Sequence, residues 1–477
     1  MSNAFANAVA NTIKYSLTAN GMLTFDSSLD PCVDFFFAVG SSRGKDLVPQ
    51  FERAYNSNPT AALRILFWAR DIRGGAGERE TFRKLFKHYA NSNPARLKDL
   101  IVLVPEYGRW DDLLGLIGPI RPLGVGYDEL ALNVITRELT KGNGLCAKWM
   151  PRRGPVARAI RHKMFLTPKE YRQLIVGLTR VVETQMCART WDQINYNQVP
   201  SVAAARYQKA FTKHDPIRYE EYKKGLVTGE SKINATAVYP YDVIKSVSYG
   251  DENVAAAQWE ALPNYLGDNS IIPMVDTSGS MSCKVNGTGV LTCMDVSVSL
   301  GLYIADKQTG PFKDLFLTFN HNSRLELLRG NFLSKLNQLR HASWGGNTNL
   351  ASAFDEILRI AVTNSLTQAD MPKYLLILSD MEFDLATGSR YGNKSLRAQD
   401  MAAEKYADAG YTLPKIVYWN LNARPGNVPV KFDEDGTALV SGFSPAIMKS
   451  ILSARDFSPV GIMLETINTD RYSAIVA

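Results

Sequence analysis

Along the first half of the chain, apolar residues recur three and four positions apart, the spacing that gathers them on one side of an α-helix. Such a stripe starts near Asn58-Pro59 and runs through Leu63, Leu66, Phe67 and Arg70. It stops at RDIRGGAGERE, where Gly74, Gly75 and Gly77 permit the backbone angles that end a helix. The next segment sets Phe82, Leu85, Phe86 and Tyr89 on one stripe and Arg79, Arg83, Lys84 and Lys87 on the other faces, so the pair predicts a helical hairpin. Further helices are predicted over 94–104, 110–117, 128–140, 168–187 and 201–226, with no strict period relating them.

From about residue 266 the pattern changes. Short apolar or β-branched runs, SIIPMV (270–275), DLFLTF (314–319), YLLILS (374–379) and KIVYWN (415–420), alternate with helical patterns at 293–308, 350–363, 395–409 and 444–453. Strands separated by helices predict a parallel, doubly wound sheet with right-handed crossovers. The expected organisation is an α-helical module over 1–265 and an α/β domain over 266–477.

Composition adds limits. With 477 residues, 45% hydrophobic and 21% charged, the chain suits a folded protein with large cores rather than a disordered one. The five cysteines, Cys32, Cys146, Cys187, Cys283 and Cys293, form no C-x-x-C pair and an odd number cannot all pair, which fits a reducing compartment. No zinc-ligand spacing occurs, and neither a signal-peptide pattern nor a run of about 18 apolar residues is present, so a cytoplasmic protein without a membrane span is expected.

The strongest chemical signal is VDTSGSM at the end of the first predicted strand of the second half, which sets Asp276, Ser278 and Ser280 in D-x-S-x-S spacing. A sharp loop leaving a buried strand can aim one carboxylate and two hydroxyls at a point. Thr348, in WGGNTNL before a helix, and Asp380, ending YLLILSD, also belong to loops at the carboxyl ends of strands and can converge there. An all-oxygen set suits a hard cation, most simply Mg²⁺. The plainer alternative is a serine-rich turn in which Asp276 caps a helix. Asp295 and Asp384 are expected to be solvated or capping residues. No histidine adjoins the motif residues and no G-x-x-x-x-G-K-[ST] loop is present, so the cation is expected to dock a carboxylate or phosphate rather than drive a reaction.

These five positions resemble the metal-ion-dependent adhesion site of von Willebrand factor A-type domains. The resemblance implies that Ser278, Ser280 and Thr348 contact the cation directly or through water and that Asp276 and Asp380 complete its shell. An A-type domain after a long helical module is in turn similar to the TROVE architecture of Ro-type RNA-binding proteins, which implies HEAT-like helical repeats and binding of single-stranded or small structured RNA. The segments RDIRGGAGERETF, EYGRWDDLL, KWMPRRG, INYNQVPSVAAARY, GESKINA and LETINTDRY look more closely like an uncharacterised family with the same domain order.

Charge is placed unevenly. The net +7 divides into +9 for residues 1–265 and −2 for the remainder. Between Lys148 and Arg180 nine basic residues face one acid, Glu170. Arg158 and Arg161 share a helix face, Arg152 and Arg153 precede it beside Trp149, and Lys163 follows; these five are the candidate RNA contacts. The plainer alternative is a solvated helix with Trp149 in the core. The expected function is a non-enzymatic RNA-binding scaffold whose A-type domain holds Mg²⁺ to dock a partner's carboxylate. The alternatives are a metal-dependent protein-assembly component without RNA and, last, a Mg²⁺-dependent nuclease or phosphatase.

Overall fold

The computed structural model describes residues 15–117, 127–179, 181–248, 250–285, 290–319, 322–342, 348–384, 397–424 and 426–477. Arg180 and Trp344 to Asn347 lie outside them.

Among the described residues up to 260, the regular structure is helical apart from a small hairpin, β1 (Tyr15–Leu17) and β2 (Leu23–Phe25). A six-stranded sheet follows, made of β3 (Ile271–Val275), β4 (Leu315–Thr318), β5 (Leu325–Leu327), β6 (Tyr374–Ser379), β7 (Lys415–Asn420) and β8 (Thr437–Ser441). Its order is β5-β4-β3-β6-β7-β8, parallel throughout except for the antiparallel edge strand β5. The sheet is therefore mixed, where a purely parallel one is expected from the four predicted strands. β6 and β7 read as continuous apolar runs because nearly every residue in them is buried. β3 carries Pro273, which lacks an N–H; β4 pairs only from Met274 onward, so the proline sits where that ladder has not begun.

The helix Pro59–Arg70 starts as predicted, with the Asn58 carboxamide capping Ala61 N at 3.0 Å and proline in the first turn. Two long predicted helices are divided. The stretch 168–187 becomes Pro168–Leu178 and Val182–Ala188, and 201–226 becomes Ser201–Arg206, Gln208–His214 and Pro216–Thr228. Pro216 begins a new helix because it cannot donate backward, and Asp215 before it is extended in φ (−141°). The short helix Val104–Tyr107 ends at Gly108, where a Cβ would lie 2.3 Å from Asp112 Oδ2 and 2.8 Å from Arg70 Nε. That gap admits a buried ion pair, Arg70 Nε to Asp112 Oδ2 at 2.7 Å.

Both ends of the chain tie the helical part to the sheet part. Phe25 and Val428 exchange backbone hydrogen bonds of 2.9 and 3.0 Å, and the helix Pro31–Val39 packs on β8. The Ser441 hydroxyl donates to Phe36 O (2.7 Å) and the Asn420 carboxamide to Phe37 O (3.2 Å). At the other end Arg471 and Tyr472 bind the buried Asp71 carboxylate, the tyrosine at 2.9 Å. One hydrophobic core accordingly runs from Met22 to Ile475, and a smaller one gathers Val182, Ile194, Tyr196, Val199, Phe211, Tyr219 and Tyr222. Among the described residues no helix is long and apolar enough to cross a membrane.

Candidate metal centre and basic helical face

β3 lies between β4 and β6, so the chain leaves it in one direction and returns on the other side. Loops at such a switch point diverge and leave a crevice beyond the carboxyl ends of the strands. Val275 pairs with Leu378 in register, and Asp276 N donates to Leu378 O at 3.1 Å. Asp276 and Asp380 thus emerge side by side from adjacent strands.

Asp276 is held at both oxygens, accepting from Ser278 N (2.9 Å) and from the Ser379 hydroxyl (2.5 Å). The Ser278 and Ser280 hydroxyl oxygens stand 3.0 Å apart, and Ser280 donates to Asp380 Oδ1 at 3.2 Å. Oxygens sharing an octahedral edge around a small cation bonded at about 2.1 Å lie roughly 3.0 Å apart. The observed spacing is of that size. Burial pushes the Asp276 carboxyl up to about 6, with the neighbouring Asp380 charge adding and the Ser379 and Ser278 hydrogen bonds opposing. Burial also raises Asp380, against the pull of Arg424. Asp276 and Asp380 lie buried side by side, and with the hydroxyls beside them they make an all-oxygen donor set of the kind that suits a hard divalent ion. Among the described residues no group of three or more His, Cys, Asp or Glu side chains could hold a metal, so any cation here depends on these hydroxyls.

Thr348 is fully buried. Its hydroxyl donates to Glu382 O (2.7 Å) and lies 3.0 Å from Asp384 Oδ1, while its N–H donates to Asp384 Oδ2 at 2.7 Å. Four of the five predicted residues, Asp276, Ser278, Ser280 and Asp380, form one group, while the fifth, Thr348, pairs with Asp384 and reaches the loop after β6 through Glu382 O. Asp384 departs from expectation: it fixes the threonine loop. Asp295 caps the helix Cys293–Lys307, accepting from Thr292 N at 2.9 Å, as a capping residue should.

Three contributors carry no spacing signal. Arg424 donates to Asp380 Oδ2 (2.7 Å) and Glu382 Oε1 (2.9 Å), leaving Asp380 Oδ1 toward the serines. The nearly buried Glu382 also accepts from Asn427 (2.8 Å) and Ala19 N (2.6 Å). Asn20, at the tip of the β1–β2 hairpin, donates to Thr348 Oγ1 and Glu382 O. Contacts such as these come from loops remote in sequence, where no local pattern announces them.

On the helical part, Arg158, Arg161 and Lys163 occupy the helix Pro155–Lys163, with Arg152 and Arg153 in the preceding turn. Arg152, Arg153 and Arg158 are exposed and make no ion pair among the described residues, whereas Lys163 pairs with Glu129. Trp149 is half-buried under the Arg109 guanidinium, 4.6 Å from the ring centroid. A residue absent from the prediction stands out: Phe165 is 95% exposed with φ of 55°. A left-handed backbone is costly for an aromatic residue, yet Leu166 N bonds Arg161 O (2.9 Å) and holds the turn. An isolated Phe between two helices has no periodicity to mark it as exposed.

Residues 270–470 match the model of a domain of unknown function, DUF7788, and residues 18–117 and 156–271 match that of another, DUF2828. The chain is similar to uncharacterised protein L728 of Acanthamoeba polyphaga mimivirus, 29% identical over 518 residues that cover 95% of this chain and 87% of that protein. The solved Ro (RSR) protein of Deinococcus radiodurans aligns with 93% of this chain and 100% of its own, at 14% identity and a TM-score of 0.45. The domain models and the viral relative name no activity.

Proposed function

We propose that this protein is a non-enzymatic cytoplasmic scaffold that binds RNA on the basic face of its helical part and holds Mg²⁺ at an A-type site in its sheet domain. The observation that carries the RNA reading is that Arg152, Arg153 and Arg158, at the start of the helix Pro155–Lys163, are exposed and make no ion pair among the described residues; Phe165, two residues past the end of that helix, is also exposed. Guanidinium groups neutralise phosphates, and an exposed ring offers a stacking surface to any unpaired base. Lys163 and Arg161 extend the same helix, although Lys163 must leave Glu129 to contribute its charge. Filter binding of single-stranded and hairpin RNA tests the reading. Reversal of Arg152 and Arg158 to Glu weakens both by tenfold or more, and an unchanged affinity refutes it.

The cation reading rests on Asp276, Ser278, Ser280 and Asp380, with Thr348 and Asp384 behind them. Bound there, Mg²⁺ supplies a Lewis-acidic contact for an incoming oxygen ligand. Arg424 orients Asp380 by occupying its second oxygen. Docking of a partner protein's Asp or Glu is favoured by exposed Gly279, which opens the loop between Ser278 and Ser280 to solvent. Asp276→Ala or EDTA then abolishes a protein complex while RNA binding persists; a pull-down indifferent to both removes the docking role.

A further inference from the structure

Cys283 and Cys293 hold their sulfurs 3.3 Å apart as free thiols. Backbone pairing creates the approach. Cys293 N donates to Cys283 O (3.1 Å), Val285 N to Leu291 O (3.0 Å), and Lys284 bridges Thr292 in antiparallel sense. The cysteines are therefore cross-strand neighbours, whose Cβ atoms typically lie about 4.5–5.5 Å apart, against roughly 3.5–4.5 Å in a disulfide. Closing the bond takes a shift of about an ångström, well within what a short surface ribbon allows.

The two sulfurs are held differently. Cys283 is half-exposed and accepts from the Asn422 carboxamide at 3.3 Å, whose oxygen accepts from Lys45 Nζ at 2.5 Å. Cys293 is buried, the first residue of the helix Cys293–Lys307, and donates to Leu421 O at 3.3 Å. One sulfur is thus reachable from solvent and placed among N–H donors and cations that favour negative charge. The other waits behind it.

We propose that Cys283 and Cys293 form a redox-active dithiol, oxidised by peroxide to a disulfide that locks the D-x-S-x-S loop to the helix beneath it. Cys283 attacks one oxygen of the peroxide; the O–O bond breaks, a sulfenic acid forms, and the departing hydroxide takes a proton to become water. Cys293 sulfur then attacks the sulfenic sulfur, the S–O bond breaks, and the hydroxide leaves with the Cys293 proton as a second water. Two thiols lose two electrons and one hydrogen peroxide becomes two waters. The lock reaches the site because Cys283 N donates to Ser280 O (3.2 Å) and Met281 N to Ser278 O (3.0 Å). The thiol chemistry stands whether or not that loop holds a cation.

The test uses the full chain with the exposed Cys187 removed as Cys187→Ser, which leaves four of the five cysteines. The protein is treated with stoichiometric hydrogen peroxide, alkylated and digested with trypsin without reduction. Trypsin cuts after Lys284, between the two cysteines, so the disulfide joins two separate peptides, 246–284 and 285–307. The expected result is this linked pair, a fall in free thiols from four to two, and full reversal by dithiothreitol. Four persisting thiols, or oxygen added to Cys283 with no linked peptide, overturn the proposal.

Discussion

The Asn20 carboxamide donates to the Thr348 hydroxyl at 3.3 Å and to Glu382 O at 2.8 Å, across more than 300 residues of chain. The first hairpin of the protein is thereby part of the wall of a site whose other residues all follow residue 275. Asn20→Ala removes both bonds and leaves the Glu382 carbonyl with the Thr348 hydroxyl alone. A loss of about 1–2 kcal/mol is expected. Urea unfolding checks it, with an unchanged midpoint as the contrary outcome.

The buried carboxylate at the strand end makes stability depend on pH. Asp276 titrates near 6 in the folded chain and near 4 when unfolded, so between those values the folded state holds the extra proton. Stability from this group therefore falls as pH rises from about 4 to about 6, by roughly 3 kcal/mol if the whole shift is realised. In EDTA, the difference between wild type and Asp276→Asn follows that slope. Millimolar Mg²⁺ flattens it by favouring the ionised form. Thermal unfolding across pH, with and without the ion, is the measurement.

In the helical part, Arg70 is 1% exposed and its charge is met by Asp112. The same carboxylate accepts from Arg83 Nε at 2.7 Å and from Arg109 N at 2.9 Å. Asp112→Ala strands a buried guanidinium and should cost about 3–5 kcal/mol. Arg70→Met in the same background should recover part of that loss, because a buried charge without its partner is worse than an apolar side chain. Chemical denaturation of the single and double variants separates these outcomes.

What could be read from the sequence follows the physics of burial. β6 and β7 were legible because strands covered on both faces need uninterrupted apolar runs, and the D-x-S-x-S loop was legible because its residues are adjacent. β8 was not, since polar Thr437 and Ser441 at its ends leave only Ala438, Leu439 and Val440 as an apolar run, next to an acidic turn. The β1–β2 hairpin has three-residue strands whose partners include Val428, so its stability is tertiary and leaves no local trace. Arg424, Glu382 and Asn20 escaped for the same reason, as did the bonds of Asp384 to Thr348. Beyond residue 200 the apolar spacing continues across Pro216, where the helix itself cannot, so the pattern predicts one helix where the chain forms several.

Phe165 separates binding from stability. With its side chain 95% exposed, Phe165→Ala is expected to change unfolding free energy by less than about 0.5 kcal/mol. If a base stacks on the ring, the same change weakens single-stranded RNA by about 1–3 kcal/mol. Paired measurements of unfolding and RNA affinity decide it; a stability loss with unchanged affinity would make the residue structural.

RNA binding through the arginines around the helix Pro155–Lys163 is read out by the salt dependence of affinity for a single-stranded RNA. The logarithm of the binding constant should fall linearly with the logarithm of salt concentration, with a slope of about 0.7 per phosphate contacted. Replacing Arg152, Arg153 and Arg158 by Gln is predicted to reduce that slope by about 2 and to weaken binding at every salt concentration. A slope identical in wild type and the triple variant would remove these arginines from the RNA interface.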